Sequence, residues 1–325
     1  MILKIFTLLG GIAVFLTGLK FISNNFTELI GNKVNRLLGK VSKSFFGCAF
    51  IGAGATALMQ SSVAVNMMAV SLAESKIMTL NGACATIIGT NVGTTVTAQL
   101  TSLQNGVNVV TPIGHFLAFS GVIACEVFKV KAKVWGLMLT GFGFVFIGID
   151  VMSTAMKSFY SYDWFKNFFL IKSPPIVLLN GFIITSLCQS SSVVTSILVI
   201  LAGNEVIAVE QAVYMILGAN VGSCTAVIFA SKDKNERGRE VALFNLVFNL
   251  FGAVVFFMIM LFFGDGVTAF LVKISGSNSK AVADFHTSFN IIFGVISFPC
   301  MNFLIATVKF IVENERKTKK INQKA

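Results

Sequence analysis

Charge is scarce in this sequence. Only 12% of the 325 residues are charged, 55% are hydrophobic, and the mean hydropathy is +0.83. A soluble domain has roughly 25% charged residues, so this chain has too little charge to cover a water-facing surface. Apolar runs such as Val241–Phe263 have the length of about 20 residues that spans a bilayer. The composition predicts a polytopic membrane protein, built of helices because backbone polar groups must be satisfied within lipid.

Residues that build catalytic or metal sites are also few. The chain has two histidines, and its six cysteines lie within or beside apolar segments without metal-ligand spacing, which predicts neither a metal site nor a disulfide. No segment combines a nucleophile, a base and an acid, and the glycine-rich stretch GTNVGTT lacks the lysine of a Walker loop. We therefore expect no enzyme activity and no cofactor.

Acidic residues are the scarcer charge, with 14 against 25 basic residues and a formal net charge of +11. The basic residues form short clusters between apolar runs, which is typical of cytoplasmic loops rather than of a nucleic-acid-binding surface. We therefore expect a lipid bilayer and no nucleic acid as the large partner. The clusters are Lys33, Arg36, Lys40 and Lys43; Lys129, Lys131 and Lys133; Lys232, Lys234, Arg237 and Arg239; and the tail from Arg316 to Lys324.

A short polar motif, which we call a word, occurs twice in otherwise apolar sequence. ALMQSSVAVN contains Gln60, Ser61 and Ser62, and SLCQSSSVVTS contains Gln189–Ser192. When Gln189 is aligned with Gln60, 13 of the 38 positions in 60–97 are identical to those in 189–226 without a gap. GTNVGTT then aligns with GANVGSC. We call this offset of 129 residues (189 − 60), which we also apply to the residues that precede each glutamine, the repeat alignment. The helices that precede the two words also match, so the chain contains an internal duplication.

The duplication predicts an all-α polytopic fold with inverted structural repeats, each with three membrane spans and one re-entrant helical hairpin. The first repeat is 1–132 with a hairpin at about 43–74, the second is 133–311 with a hairpin at about 173–203, and 312–325 is a basic cytoplasmic tail. Basic clusters on the cytoplasmic side place the N-terminus outside and the C-terminus inside. Three spans are an odd number, so the second copy is upside down, a plan that recurs in secondary transporters.

The polar words supply hydrogen-bond donors at the predicted hairpin tips. A helix N-terminus has free N–H groups and partial positive charge, and serine there adds a hydroxyl, which suits an anion. Hydroxyl, amide and carbonyl oxygens also suit a small cation such as sodium. We expect such oxygens at glycine-flanked breaks in the next helix of each repeat, although small residues also serve close helix packing. These residues are Asn91, Thr94 and Thr95, and Asn220, Ser223 and Thr225.

The paired words, each followed by Gly-x-Asn-Val-Gly, resemble the type II sodium–phosphate cotransporter family over roughly Phe15–Phe298. The resemblance implies sodium-coupled symport of inorganic phosphate across the plasma membrane, with phosphate at the midplane between the two tips and sodium beside the second hairpin. The residues assigned to phosphate are Gln60, Ser61, Ser62, Asn91, Gln189, Ser190, Ser191, Ser192 and Asn220. Those assigned to sodium are Asn91, Thr94, Thr95, Gln189, Ser190, Ser223 and Thr225. ADFHTSFN, with His286 and Asn290, resembles the last helix of the family.

Two positions depart from the family pattern. Val63 replaces a third serine in the first word, and Ala226 removes a hydroxyl near the sodium site beside the second hairpin. The alternatives are a carrier of another oxyanion, a carrier coupled to protons, and an anion channel, although two opposed hairpins would occlude a continuous pore. We expect a bacterial inner membrane as the location, and the sequence allows a homo-oligomer without determining one.

Overall fold

Eleven helices account for nearly all of the residues that the computed structural model describes, which are 2–103, 110–127, 130–159, 162 and 173–322. No strand occurs within these ranges, so the prediction of an all-helical fold is confirmed. Lys129 and the last three residues of the predicted tail lie outside them. The helices are α1 (Ile2–Lys40), α2 (Phe45–Met59), α3 (Ser62–Glu74), α4 (Leu80–Ser102), α5 (Val110–Val127), α6 (Val130–Phe159), α7 (Pro174–Cys188), α8 (Ser191–Gly203), α9 (Val209–Ala230), α10 (Glu236–Ser275) and α11 (Asn278–Asn322).

Five of these helices, α1, α6, α9, α10 and α11, are long and apolar enough to cross a membrane. Helix α4 has 23 residues but is rich in threonine and asparagine, and α5 has only 18 residues. Three spans in the first repeat require α4 and α5 to cross the membrane in addition to α1, and these two spans stay predictions. The last two helices are longer than the apolar runs Val241–Phe263 and Ala281–Phe310 that the sequence predicts as membrane spans, and those two spans stay predictions. Helices α10 and α11 have 40 and 45 residues, because their polar ends continue the helix beyond the apolar run.

Helices α2 and α3 form a hairpin that packs along α4. The carbonyl oxygen of Ser42, just before α2, accepts a hydrogen bond from Thr79, just before α4. At the far end of α2, Gln60 contacts Thr97, and Asn66 of α3 contacts Thr90. From the start to the end of α2 the contacted residue moves from Thr79 to Thr97, so α2 runs parallel to α4. From Gln60 to Asn66 it moves back to Thr90, so α3 runs antiparallel to α4.

Small residues let the short helices approach their neighbours closely, and the same contacts recur in both copies. A methyl group on Gly89 would overlap the carbonyl oxygen of Ala49, and one on Gly218 would overlap that of Leu178. The two glycines are equivalent in the repeat alignment, and so are their two partners. Close backbone approach through small residues is the usual way in which helices pack within membranes. The duplicated sequence therefore produces a duplicated packing of α2 on α4 and of α7 on α9.

Ion pairs join helix ends at one end of the bundle. The carboxylate of Glu74, at the end of α3, lies 2.9 Å from Lys234 Nζ and accepts a hydrogen bond from the backbone N–H of Asn235 at 3.1 Å. The Lys234 hydrogen bond lowers the pKa of Glu74 below its usual value. Arg239 pairs with Glu315 and Arg316 pairs with Glu236, so the start of α10 is joined to the end of α11. The basic loop between α9 and α10 thereby lies beside the base of the first hairpin.

A polar cluster joins the end of α4 to the α10–α11 turn. Lys280 Nζ donates to Gln99 Oε1 at 2.6 Å and to Asp284 Oδ1 at 2.5 Å. Gln99 Nε2 also donates to Asp284 Oδ1 and to Thr287, and Ser275 donates to the other oxygen of Asp284 at 2.7 Å. We call these five residues the Lys280 cluster. Its centre is Asp284, which accepts hydrogen bonds from three of the four other residues.

Asp284→Asn should destabilise the protein by roughly 1–2 kcal/mol, because partly buried donors of the cluster lose a charged acceptor. Thermal unfolding in detergent measures the change. The matched control is Glu313→Gln, which removes an i,i+4 partner of Lys317 in a pair that is more than 60% exposed and should change little. Equal stability of the two variants would contradict a structural role for the Lys280 cluster.

Candidate binding site at two helix breaks

The two Gln-Ser-Ser words form the same backbone break. Gln60 follows α2 in the left-handed region, with φ 51° and ψ 27°, and Gln189 follows α7 with φ 53° and ψ 23°. The next residues, Ser61 and Ser190, are extended, with φ of −144° and −146°. Helices α3 and α8 then begin at the second serine of each word. The sequence prediction of a helix–turn–helix at each word agrees with this geometry.

A second pair of residues shows the same duplication. Lys76 and Glu205 have φ of 60° and 58°, and they are equivalent in the repeat alignment, as are Gln60 and Gln189. These four are all of the non-glycine residues with positive φ in the described part of the chain. Non-glycine residues rarely adopt positive φ. Their occurrence in two matched pairs shows that the copies share backbone conformation as well as sequence.

The first break is held by more hydrogen bonds than the second. The Ser61 hydroxyl accepts from the backbone N–H of Ala64 at 3.3 Å, whereas Ser190 makes no such cap. Gln60 Oε1 accepts from the Thr97 hydroxyl at 2.6 Å. The position equivalent to Thr97 is Ala226, and Gln189 is exposed. The substitution that marks a departure from the family pattern therefore leaves the second glutamine without a threonine partner at that position.

Helix α4 contacts both the first break and the helix that follows the second break. Thr97 bonds to Gln60, and Thr101, one turn further along α4, lies 2.9 Å from the hydroxyl of Ser196 on α8. One turn of an α-helix rises only about 5.4 Å along the axis. Ser196 itself lies five residues after the start of α8 at Ser191. The structure therefore places the tip of the first hairpin and the first turns of α8 on neighbouring turns of one helix.

The two asparagines assigned to the site have different surroundings. Asn220 Nδ2 donates to Asn290 Oδ1 of α11 at 3.3 Å, and both residues are buried. Asn91 is also buried, but its Nδ2 has no hydrogen-bond partner in the described residues. His286 lies one turn before Asn290, is 1% exposed, and likewise has no partner at either ring nitrogen. Unpaired buried polar groups are uncommon in folded proteins, so these side chains are candidates for ligand contact.

The predicted breaks in the helices after each hairpin are wrong. Helix α4 is continuous from Leu80 to Ser102 and α9 from Val209 to Ala230. Their glycines allow close packing instead of a break, so their carbonyl groups are not freed by a gap in the helix. The hydroxyls expected there donate to backbone carbonyls three residues earlier at 2.6–2.8 Å: Thr94 to Asn91, Thr95 to Val92, Ser223 to Asn220, and Thr225 to Gly222.

Sequence reasoning missed several buried polar residues of the bundle. Asn66, six residues after the first glutamine, accepts a hydrogen bond from Thr90 at 2.7 Å. Asn245 and Asn249 are buried on α10, where the Asn249 side chain donates to the Asn245 side chain at 3.0 Å. Polar amides spaced four residues apart within the apolar stretch FNLVFNLFG would have indicated this buried face.

A protein-family model described as Na+/Pi-cotransporter matches residues 14–154 and 167–298. The match includes both helix breaks and covers most of the chain. The chain belongs to the Na+/Pi-cotransporter family. The family resemblance that the two Gln-Ser-Ser words indicated is thereby confirmed, and the five membrane-length helices belong to a multi-span membrane protein of a transporter family.

Three relatives match different shares of this chain. "Uncharacterized protein YqeW" of Bacillus subtilis is 23% identical over 307 residues, which are 93% of this chain and 96% of YqeW. "Putative inorganic phosphate export protein YjbB" of Escherichia coli is 24% identical over 318 residues, or 96% of this chain but 56% of YjbB. Human "Sodium-dependent phosphate transport protein 2B" is 32% identical over 106 residues, or 31% of this chain and 15% of that protein. This chain thus spans little more than half of YjbB. No solved structure gives a significant match.

Proposed function

We propose that this protein is a sodium-coupled carrier of inorganic phosphate in the plasma membrane, with phosphate bound near the midplane between the two Gln-Ser-Ser breaks. The observation that supports it best is the pair of breaks with the same backbone conformation. Gln60 at the first break and Ser196, in the second turn of the helix that follows the second break, bond to neighbouring turns of α4. Each break presents a helix N-terminus, where free N–H groups and the helix dipole attract an anion. The family membership adds phosphate as the anion and sodium as the coupling ion.

Neutral groups surround the proposed phosphate site. Along the chain, each break is followed by serine hydroxyls and by the backbone N–H groups that begin α3 or α8. The two words contain no lysine or arginine. A carrier must release its substrate, and neutral donors bind an anion more weakly than charged ones. A site built of neutral donors therefore suits a carrier better than a protein that must hold phosphate tightly. The first serines, Ser61 and Ser190, belong to the turns, while Ser62, Ser191 and Ser192 belong to the first helical turns.

The direction of transport separates two versions of the proposal. The name of YjbB indicates phosphate export, whereas that of the human relative indicates sodium-dependent transport. A sodium-coupled carrier moves phosphate in the direction set by the combined gradients. An exporter that does not use sodium is our second candidate: the name of YjbB, which matches 96% of this chain, gives export and does not mention sodium.

Radiolabelled phosphate flux in proteoliposomes tests the proposal. We expect uptake under an inward sodium gradient to exceed uptake under a matched choline gradient, and preloaded vesicles to release phosphate faster when sodium is inside. Flux that is the same in sodium and choline would contradict sodium coupling and favour the second candidate. Flux stimulated by a proton gradient alone would favour the proton-coupled alternative.

A single membrane crossing by α10, with its basic loop in the cytoplasm, predicts opposite sides for the turns at its two ends. Lys232 lies between α9 and α10, and Lys273 lies in the last turn of α10. One helix separates them, and both positions are exposed. Lys232→Cys should react with a membrane-impermeant maleimide only after the membrane is opened, and Lys273→Cys should react in intact cells. The unmodified chain, with its six cysteines, gives the background. Labelling of both variants from one side would contradict the topology.

A further inference from the structure

Buried threonine hydroxyls in this protein usually donate to a backbone carbonyl of their own helix. Thr86, Thr101 and Thr140 each do so to the residue four positions earlier, at 2.9–3.0 Å. Thr56 and Thr185 do not. They are 1% and 0% exposed, and neither hydroxyl has a hydrogen-bond partner in the described part of the chain. An unpaired buried hydroxyl is energetically unfavourable, so its occurrence at both positions needs an explanation.

The two threonines occupy the same place in the two copies. They are equivalent in the repeat alignment, and each lies four residues before the left-handed glutamine of its break. The carbonyl oxygen of each threonine accepts the N–H of that glutamine, at 2.7 Å in both cases. Thr195 is also unpaired, but its counterpart Asn66 pairs with Thr90. Thr56 and Thr185 are thus a matched pair of unpaired hydroxyls.

The packing around both hydroxyls is matched as well. A β-carbon on Gly93 would lie 2.7 Å from the β-carbon of Thr56, and one on Gly222 would lie 3.0 Å from that of Thr185. Each threonine side chain therefore packs against a glycine backbone of the following long helix, α4 or α9. Both glycines belong to the Asn-Val-Gly word that is repeated after each break.

The location favours a cation. Both threonines are in the last turn of a helix that ends at the break, α2 or α7. The last turn of a helix presents carbonyl groups without intrahelical partners and a partial negative charge. Hydroxyl and carbonyl oxygens are the ligands that hard cations prefer, and half-helix C-terminal ends coordinate sodium in other transporters. An anion would instead be attracted to the other side of each break, where α3 and α8 begin.

We propose that Thr56 and Thr185 are cation ligands at two equivalent sodium sites, one at the end of α2 and one at the end of α7. This inference rests on the proposed sodium-coupled phosphate transport and adds ligands that the sequence did not indicate. Each break then places a cation on its C-terminal helix end and phosphate on its N-terminal helix end. A bound cation beside the break strengthens anion binding electrostatically, which provides a direct means of coupling.

The two sites differ in one respect. Gln60 Oε1 is engaged by the Thr97 hydroxyl at the first site, whereas Ala226 replaces that threonine at the second. The Gln189 side chain is exposed and has no threonine at that position to hold it. The glutamine at the first site is therefore held by a hydrogen bond that the second site lacks.

Thr56→Val and Thr185→Val test the inference, because valine keeps the side-chain shape and removes the oxygen. We expect the sodium concentration for half-maximal phosphate uptake to rise about fivefold to tenfold in each variant, with phosphate affinity at saturating sodium little changed. Thr56→Ser and Thr185→Ser should behave as the unmodified protein. Thr140→Val, which removes a buried hydroxyl bonded only to its own helix, is the matched control. If valine is not tolerated, Thr56→Ala and Thr185→Ala replace it.

A binding measurement separates this inference from the proposed function. Sodium, compared with choline, should raise the unfolding temperature of the unmodified protein in detergent, since a ligand that binds only the folded state stabilises it. The valine variants should need more sodium for the same rise. If phosphate flux proves independent of sodium, the proposed function fails while this readout still decides the inference. Unchanged sodium dependence in both variants, or a lower maximal rate with an unchanged sodium midpoint, would overturn it.

Discussion

Ser62→Ala and Ser191→Ala are each expected to weaken phosphate binding roughly tenfold to hundredfold. Removing one hydrogen-bond donor to a charged ligand costs about 1.5–3 kcal/mol, and each serine is the first residue of the helix that follows its break. Because the two serines occupy equivalent positions, the effects should be of similar size. The phosphate concentration for half-maximal uptake at saturating sodium measures them.

Ser71→Ala is the matched control for the serine variants. Ser71 is on α3, as is Ser62, but it lies near the other end of the helix and is exposed. It should leave phosphate kinetics unchanged. Phosphate kinetics like those of the unmodified protein in both Ser62→Ala and Ser191→Ala would show that these two hydroxyls do not bind phosphate and only pack the helices.

Gly89→Ala and Gly218→Ala are expected to have the largest effect on folding. A single added methyl group would overlap the backbone carbonyl of Ala49 in the first case and of Leu178 in the second. Overpacking within a well-packed core costs typically about 1–3 kcal/mol, and backbone atoms move less easily than side-chain ends. Both variants should therefore unfold at clearly lower temperature and accumulate poorly in the membrane.

Gly54→Ala provides the comparison for these two variants. Gly54 lies on α2, the helix that packs against Gly89, but a methyl group there would meet no atom within 4 Å. Alanine also has the higher helix propensity, by about 1 kcal/mol, so this variant should be as stable as the unmodified protein or more so. If Gly89→Ala were as stable as Gly54→Ala, the close packing of α2 on α4 would be wrong.

The breaks could be predicted because their signal is local. Three polar residues side by side in an apolar run, written twice, indicated helix–turn–helix segments, and the structure has helix ends at Met59 and Cys188. The family could likewise be identified from these words. What the words do not contain is the partner of each side chain. The Gln60–Thr97 contact depends on how α2 is aligned with α4, which is set by packing of the whole hairpin.

The error at the Gly-x-Asn-Val-Gly words has a physical reason. Glycine weakens a helix, and so the sequence suggested a break with free carbonyl groups near Asn91 and Asn220. The same absence of a side chain also lets another backbone approach, and here Gly89 and Gly218 serve that purpose within continuous helices. The two roles cannot be told apart without knowing the neighbouring helix. The unpaired hydroxyls of Thr56 and Thr185 were invisible for the same reason.

The most direct test of the central claim, a carrier with its phosphate site between two opposed breaks, is counterflow. Proteoliposomes loaded with unlabelled phosphate are diluted into sodium medium that contains a trace of radiolabelled phosphate. A carrier exchanges one phosphate for another at a single site, so the label should accumulate transiently inside above its outside concentration, and Ser191→Ala should reduce the rate. Equilibration of label without a transient excess would show a channel and contradict the account.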